Sequence, residues 1–196
     1  YFGELRNKQI NGKKLTEEEN QWLKDVADTL HPLLVSTFDS AKGLYLEAKK
    51  EIESIADKSI KGMNAFISTF PIKRPSRAAI KTLNWYGAAP EKLGDGARVN
   101  ILVENDADAN TVFDKINEDN PKNNDKDLRR INDKTELGYP KRLLEVRTSN
   151  GVIAEMQVMT INGYLAKDGI NSFPENKKSQ AQKALNKLQQ ILGFKI

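Results

Sequence analysis

Apolar side chains in the first third of the chain recur every three or four residues, which is the spacing of an amphipathic helix. Residues 1–14 are polar and predict a lead-in segment. A capping box of Thr16 and Glu19 begins the first predicted helix, and Pro32 ends it. A second helix is predicted over residues 38–56. We expect both helices to act as scaffold on one side of a sheet.

Alternation of apolar and polar residues predicts four strands farther along the chain. They cover residues 96–103, 128–134, 143–148 and 152–160. The sequence Ser-Asn-Gly at 149–151 joins the last two strands as a hairpin, because Asn-Gly tolerates the positive φ values of a tight turn.

Further helices are predicted around these strands. A basic helix carries Lys73 to Lys81, a short helix follows Asp106, and a last amphipathic helix covers residues 178–192. Residues 117–127 contain no apolar side chain and predict a solvated loop. The element order α, α, α, β, α, β, β, β, α, α indicates an α/β (α+β) domain. We expect a mixed, mostly antiparallel central sheet of about four to five strands flanked by helices.

The composition excludes several classes of site. The 196 residues are 38% hydrophobic and 30% charged, as in soluble globular proteins. The chain has no cysteine and one histidine, His31, so disulfides, thiolate nucleophiles and histidine-pair metal sites are excluded. The formal charge of +4 favours mild attraction to nucleotides or nucleic acid, although the charges are too mixed for a dedicated RNA-binding surface. No apolar run suits a membrane helix, and the start at Tyr1 without a signal peptide predicts a domain of a longer protein.

The candidate chemistry is concentrated between residues 71 and 103. Lys73, Arg77 and Lys81 are four residues apart, so on one helix they would form a ladder with steps of about 6 Å that matches a polyphosphate. Such a ladder is more often a solvated helix face than a phosphate clamp.

Two carboxylates and an arginine accompany the ladder. Asp95 and Arg98 bracket the start of a strand, and Glu155 and Gln157 share one face of another. Carboxylates and cations together are what magnesium-dependent phosphoryl chemistry needs. By itself, Glu-x-Gln is typical of an ordinary strand edge. The chain lacks both the P-loop and the Rossmann glycine motifs.

The order of these motifs resembles the synthetase domain of RelA/SpoT-type alarmone synthetases, and especially the divergent toxin branch of that family. The resemblance covers about residues 40–168 and implies a nucleotidyltransferase-like synthetase fold. We expect one domain over residues 1–196, with N-terminal helices at 1–62, a catalytic core at 63–168 and a C-terminal helix at 169–196. The matching segments are Lys73, Arg77 and Lys81, then GDGARVNI, Asn132-Asp133-Lys134, Gly138-Tyr139 and Ala154-Glu155-Met156-Gln157-Val158.

The resemblance implies roles on the side of the phosphate donor. Lys73, Arg77 and Lys81 would hold the phosphates of ATP, and Arg98 would help to clamp this donor. Asp95 would bind Mg²⁺.

The resemblance also implies roles on the side of the acceptor. Glu155 would be a second Mg²⁺ ligand or the base that deprotonates the attacking hydroxyl, with Gln157 supporting it. Tyr139 would stack on the acceptor base. The serine and histidine that follow this tyrosine in long alarmone synthetases are missing, a difference that bears on whether GDP is accepted. Lys141 and Arg142 stand there instead and could bind acceptor phosphates or an RNA backbone.

The activity implied is a Mg²⁺-dependent transfer of pyrophosphate from ATP to the ribose 3′-hydroxyl of an adenosine or guanosine nucleotide, giving (p)ppApp- or (p)ppGpp-type products. Because the family's hydrolase domain has no counterpart here, unopposed consumption of ATP fits a growth-inhibiting toxin. It would act in the bacterial cytoplasm, with or without secretion into a target cell, and an immunity or antitoxin protein would be its partner. The alternatives are pyrophosphorylation of tRNA, a non-catalytic nucleotide- or RNA-binding module, and a structural interaction domain whose helices at 16–30 and 178–192 bind a partner protein. No membrane partner is expected.

Overall fold

The computed structural model describes residues 1–119, 130–134 and 140–168. These residues group into two units, each assembled from separate stretches of the chain. The first unit contains residues 1–49, 71–97 and 148–154, and the second contains the remaining described residues. Within the described ranges, no helix has both the length and the apolar character needed to cross a bilayer.

The longest helix of the first unit, α2 (Glu17–Ser40), begins where the sequence predicts and ends later. The capping box of Thr16 and Glu19 is present with both of its reciprocal hydrogen bonds. The prediction that Pro32 ends the helix is wrong, because Pro32 lies inside it. Phe38, beyond the proline, is only 4% exposed, and we attribute the continued helix to burial of this ring and its neighbours.

The helices on either side of α2 also differ from the prediction. Residues predicted to form a lead-in contain the helix α1 (Phe2–Ile10), which buries Leu5 completely. The next helix, α3 (Lys42–Ser59), begins later than predicted because α2 already occupies the chain up to Ser40. Its residues up to Lys49 belong to the first unit.

A fourth helix, α4 (Pro75–Trp85), packs against α2. Pro75 stands in its first turn, where the missing N–H has no helical partner to lose. A short 3₁₀ helix (Pro90–Lys92) follows. The apolar core of this unit is formed by Leu34, Phe38, Ala78, Ala79, Leu83 and Leu93.

The sheet has five strands in the order β1-β2-β5-β4-β3. The strands are β1 (Ala65–Thr69), β2 (Arg98–Val103), β3 (Arg130–Lys134), β4 (Pro140–Arg147) and β5 (Ile153–Thr160). Strand β2 pairs antiparallel with β1 and parallel with β5, and β3 pairs antiparallel with β4. The predicted mixed sheet with flanking helices is therefore confirmed. Only β1 was not predicted.

The predicted hairpin between β4 and β5 is confirmed. The Thr148 N–H donates a hydrogen bond to the Val152 carbonyl at 2.9 Å, and the Gly151 N–H donates to the Thr148 carbonyl at 2.9 Å. Gly151 has a φ of +84°, which the missing Cβ permits. The Asn150 side-chain amide donates to the Leu44 carbonyl at 2.9 Å, so the turn is tied to α3 within the first unit.

Two helices of the second unit complete the described fold. The predicted helix after Asp106 is confirmed as α5 (Asp106–Asp119), and the Asn105 side chain caps it by accepting a hydrogen bond from the Asp108 N–H at 3.0 Å. The last described helix is α6 (Ile161–Asp168). Its Tyr164 hydroxyl forms a hydrogen bond with the Ser68 hydroxyl of β1 at 3.1 Å.

Some predictions fall outside the described residues. These are most of the predicted loop, from residue 120 onward, and the predicted helix over residues 178–192. The division into residues 1–62, 63–168 and 169–196 stays a prediction.

Candidate active site

Three predicted site residues of the first unit meet in one ion cluster, which we call the Asp95 cluster. The Asp95 carboxylate lies 3.1 Å from the Lys73 ammonium and 2.6 Å from the Lys81 ammonium. Lys81 projects from α4, and Lys73 is held by a hydrogen bond from its own N–H to the Gly96 carbonyl at 2.9 Å. The Asp95 side chain is 11% exposed, so this cluster is largely withdrawn from water.

The three basic residues do not form a ladder on one helix. Lys73 lies before α4 begins at Pro75, so that part of the prediction is wrong. The lysine's position follows from the proline, which starts the helix and disfavours helical geometry in the residue before it. Arg77 is on α4, with an exposed side chain and no partner among the described residues. Two of the three cations therefore face one carboxylate, and the third faces solvent.

The surroundings of Asp95 set its protonation state. Burial raises its pKa, but the hydrogen bond and charge of Lys81, together with the charge of Lys73, outweigh burial and hold the pKa below its usual value. Burial and then the Asp95 charge raise the pKa of Tyr45. The carboxylate is therefore ionised and the phenol neutral at pH 7.

A cleft of about 210 Å³ in the first unit shares Lys73 with the Asp95 cluster. Its walls include the rings of Phe38 and Tyr45, whose centroids are 6.2 Å apart. Gly96 also lines the cleft, and a Cβ at this position would overlap the Tyr45 ring. The sequence assigned α2 and α3 to scaffold only, so Tyr45 was missed; its aromatic ring among lysines and glutamates was the available signal.

Three further predicted residues lie together in the second unit, on neighbouring strands. Arg98 of β2 stands directly opposite Glu155 of β5 in the parallel register. The Gln157 side-chain amide donates a hydrogen bond to the Glu155 carboxylate at 2.6 Å. Glu155 is 4% exposed and Gln157 is 7% exposed. We call Arg98, Glu155 and Gln157 the Glu155 row.

The position of Arg98 is fixed by an aromatic ring as well as by the sheet. Its guanidinium carbon lies 4.4 Å from the centroid of the Phe70 ring, which is the distance of a cation–π contact. Phe70 in turn packs edge-on against Tyr164 of α6. The planar guanidinium group of Arg98 is therefore held close to the paired strands β2 and β5 instead of extending into solvent.

The donor atoms fit a hard cation such as Mg²⁺ only in part. Carboxylate oxygens are the ligands that Mg²⁺ prefers, and the Asp95 Oδ1 atom is buried without a hydrogen-bond partner among the described residues. The described ranges contain no group of three or more histidine or acidic side chains placed to hold a metal. Mg²⁺ usually completes its octahedron with water and substrate phosphates, so a site with one or two carboxylates suits it.

The three remaining predicted residues are placed differently. Tyr139 lies outside the described residues, and Lys141 belongs to β4, opposite Asp133 in the register, with its side chain outside the described part. Arg142 is 4% exposed and donates hydrogen bonds to the Asn110 side chain at 2.7 Å and the Asp106 carboxylate at 3.3 Å. These bonds tie β4 to α5, and the substrate-binding role of Arg142 stays a prediction.

Similarity to known proteins was found among solved structures. No protein-family model and no curated protein matches the chain. The Type VI effector Tas1, solved in complex with its immunity protein, is similar with a TM-score of 0.62 and 27% identity over 76% of each chain. The predicted resemblance is confirmed. The chain has a fold similar to that of this Type VI effector.

Two further solved structures show a weaker likeness. The small alarmone synthetase 1 from Bacillus subtilis, bound to its product pppGpp, matches with a TM-score of 0.49 and 16% identity over 80% of this chain and 93% of its own. A GTP pyrophosphokinase family protein from Streptococcus pneumoniae matches with a TM-score of 0.42 and 20% identity over 91% and 93%.

Proposed function

We propose that this protein transfers the β,γ-pyrophosphate group of ATP to the ribose 3′-hydroxyl of an acceptor nucleotide. The observation that supports the proposal most is the Glu155 row. There a carboxylate, held by the Gln157 amide at 2.6 Å, stands opposite an arginine on a fold similar to that of Tas1. A carboxylate fixed in this way can act as a general base.

The Asp95 cluster supports a role in binding the donor. Lys73 and Lys81 are both held beside Asp95, so two ammonium groups are already brought together before any ligand is present. The triphosphate of ATP would replace Asp95 as the partner of these ammonium groups, and the exposed Arg77 guanidinium would add a further contact. Because the carboxylate compensates the lysines in the free protein, the cluster avoids the cost of like charges close together.

The chemical step is an in-line displacement at the β-phosphorus of ATP. Glu155 accepts the proton of the attacking 3′-hydroxyl, whose oxygen forms the new bond to the β-phosphorus. The bond between this phosphorus and the oxygen that bridges it to the α-phosphorus breaks, and AMP leaves. Arg98 would stabilise the charge of the transferred group.

Mg²⁺ is proposed as the cofactor, with Asp95 as a protein ligand; Glu155 would be a second ligand only if it is not the base. Its chemistry would be charge neutralisation on the phosphate oxygens. The free Asp95 Oδ1 atom supports this assignment.

The acceptor is proposed to be an adenosine or guanosine nucleotide, with Tyr139 stacking on its base and Lys141 near its phosphates. The tRNA end, with the same 3′-terminal ribose chemistry, is the alternative acceptor. Tas1 is a Type VI effector with an immunity protein. By similarity we propose that this protein is a secreted toxin that acts in the bacterial cytoplasm and is neutralised by an immunity protein.

The test is to incubate the protein and Mg²⁺ with ATP labelled in its terminal phosphates, offering AMP, ADP, GDP and bulk tRNA separately. The expected result is label on one acceptor with equimolar release of AMP. A folded protein that binds ATP but releases no AMP with any acceptor would leave the non-catalytic nucleotide-binding module as the better account.

A further inference from the structure

Strand β2 contains a buried asparagine whose side chain has no partner. Asn100 is 0% exposed, and neither its amide nitrogen nor its amide oxygen has a hydrogen bond to any described residue. Its neighbours along the strand are Val99 and Ile101, which are also completely buried. An unpaired buried amide is costly, so an asparagine among aliphatic residues indicates a polar group that is absent from the free protein.

The sheet register places Asn100 beside the Glu155 row. Asn100 is opposite Gln157 of β5 and opposite Ser68 of β1, and residues directly opposite one another project from the same face. Arg98 is two residues before Asn100 on the same strand, so it shares this face too. The unpaired amide therefore projects from the face that carries the proposed base and its supporting glutamine.

The polar neighbours on this face already have partners. The Ser68 hydroxyl pairs with the Tyr164 hydroxyl at 3.1 Å, and the Gln157 amide donates to Glu155. Glu155 and Gln157 are nearly as buried as Asn100, since their exposed fractions are 4% and 7%. Any substrate that reaches the proposed base must open the same enclosed face.

We propose that the Asn100 side-chain amide binds a ribose hydroxyl of the acceptor nucleotide. A hydroxyl both donates and accepts a hydrogen bond, and a primary amide offers an acceptor oxygen and a donor nitrogen to match it. This inference rests on the proposed function, in which Glu155 removes a proton from a hydroxyl of the same ribose. Asn100 would then select ribose over deoxyribose acceptors.

The first experiment uses the free protein and needs no activity. In Asn100→Leu an apolar side chain of similar size replaces the unpaired amide, so the melting temperature should rise by about 3 °C or more. Thr82→Val is the matched control, because the Thr82 hydroxyl is also buried and unpartnered among the described residues and lies on α4 in the other unit. A fall of several degrees in Asn100→Leu would show that Asn100 has a structural partner, which overturns the proposal.

The second experiment measures binding in a cycle of protein and ligand changes. ADP, GDP and their 2′-deoxy counterparts are titrated calorimetrically with Mg²⁺ and saturating α,β-methylene ATP, which cannot transfer its pyrophosphate. The wild-type protein should bind one ribonucleotide roughly tenfold more tightly than its 2′-deoxy counterpart. Asn100→Leu should bind both with the weaker affinity, whereas Thr82→Val should keep the preference.

The outcomes separate this inference from the proposed function. A preference that survives in Asn100→Leu, or an equal loss for both ligands, overturns the role of Asn100 while pyrophosphate transfer by the wild type still stands. A preference that the wild type shows and Asn100→Leu loses, in a protein whose wild type releases no AMP, supports the ribose site and rejects the transferase. A wild-type protein that binds none of the nucleotides rejects both.

Discussion

Asp95 is the residue whose replacement separates phosphate binding from catalysis. Its carboxylate pairs with Lys73 at 3.1 Å and with Lys81 at 2.6 Å. At an effective dielectric constant of about 20, these distances correspond to gross attractions of roughly 5 and 6 kcal/mol. Desolvation offsets most of this, so Asp95→Asn should lower the free energy of unfolding by only about 2 kcal/mol and the melting temperature by about 6 °C.

The same substitution should strengthen the binding of a bare polyphosphate. Asparagine removes the carboxylate that competes for both ammonium groups, so inorganic tripolyphosphate without Mg²⁺ should bind about tenfold more tightly, a gain of about 1.4 kcal/mol. Pyrophosphate transfer with Mg²⁺ should fall by at least about a hundredfold, because a metal ligand worth several kcal/mol is lost. The gain in anion affinity and the loss of transfer thus have one cause.

Calorimetric titration of tripolyphosphate at low salt, beside the AMP-release assay, tests this reasoning. Glu91→Gln is the matched control, because it changes the net charge by the same amount at an exposed position in the 3₁₀ helix. If Asp95→Asn binds tripolyphosphate no better than Glu91→Gln does, then Lys73 and Lys81 do not form a phosphate-binding site in which Asp95 is the counter-ion of the free protein. If it also keeps full transfer, Asp95 is not a metal ligand.

Four further outcomes are expected. Glu155→Gln should keep its fold and lose roughly 10²- to 10⁴-fold in kcat, and near-normal turnover would exclude Glu155 as the base. Gly96→Ala should lower the melting temperature by several degrees, because its Cβ would overlap the Tyr45 ring; an unchanged melting temperature would contradict this packing. Arg142→Met should destabilise the protein by about 2 kcal/mol in urea unfolding without changing KM for the acceptor nucleotide, and a raised KM for the acceptor would support the predicted substrate-binding role. The lowered pKa of Asp95 means that its stabilisation is present above the unfolded-state pKa near 3.9 and disappears as the pH falls through the folded-state value; the stability difference between wild type and Asp95→Asn should therefore vanish in acid.

Patterns that depend on neighbouring residues predicted the structure well. The hairpin at residues 149–151 follows from the φ preference of Asn-Gly, and the capping box of Thr16 and Glu19 from local hydrogen bonding. Glu155 and Gln157 share a face because alternation is a property of any strand.

Features decided by packing were not predictable in this way. Pro32 is a strong stop signal locally, yet the helix continues through it because residues beyond it are buried in the core. β1 is only five residues long, and its apolar and polar residues alternate only weakly. Its pairing with β2 is therefore what identifies it as a strand. Lys73 has the sequence spacing of the predicted ladder but is not part of the helix, because the helix begins two residues later, at Pro75.

The lack of a hydrogen-bond partner for the Asn100 side chain among the described residues was likewise not predictable from the pattern of apolar and polar positions. No role was assigned to this residue from the sequence. Both faces of β2 are in fact largely buried, since every residue from Val99 to Val103 is at most 1% exposed. One polar residue between Val99 and Ile101, within an aliphatic run that ends at Val103, was the signal available.

The way the chain is shared between its two units limits how it can be divided. The backbone passes from one unit to the other after residues 49, 70, 97, 147 and 154. Neither unit can therefore be obtained as one contiguous fragment, whether by cleaving the chain at a single position or by a single crossover between related genes. Variants of this domain should be inherited, expressed and unfolded as one piece, and a split version would have to reassemble both units at once.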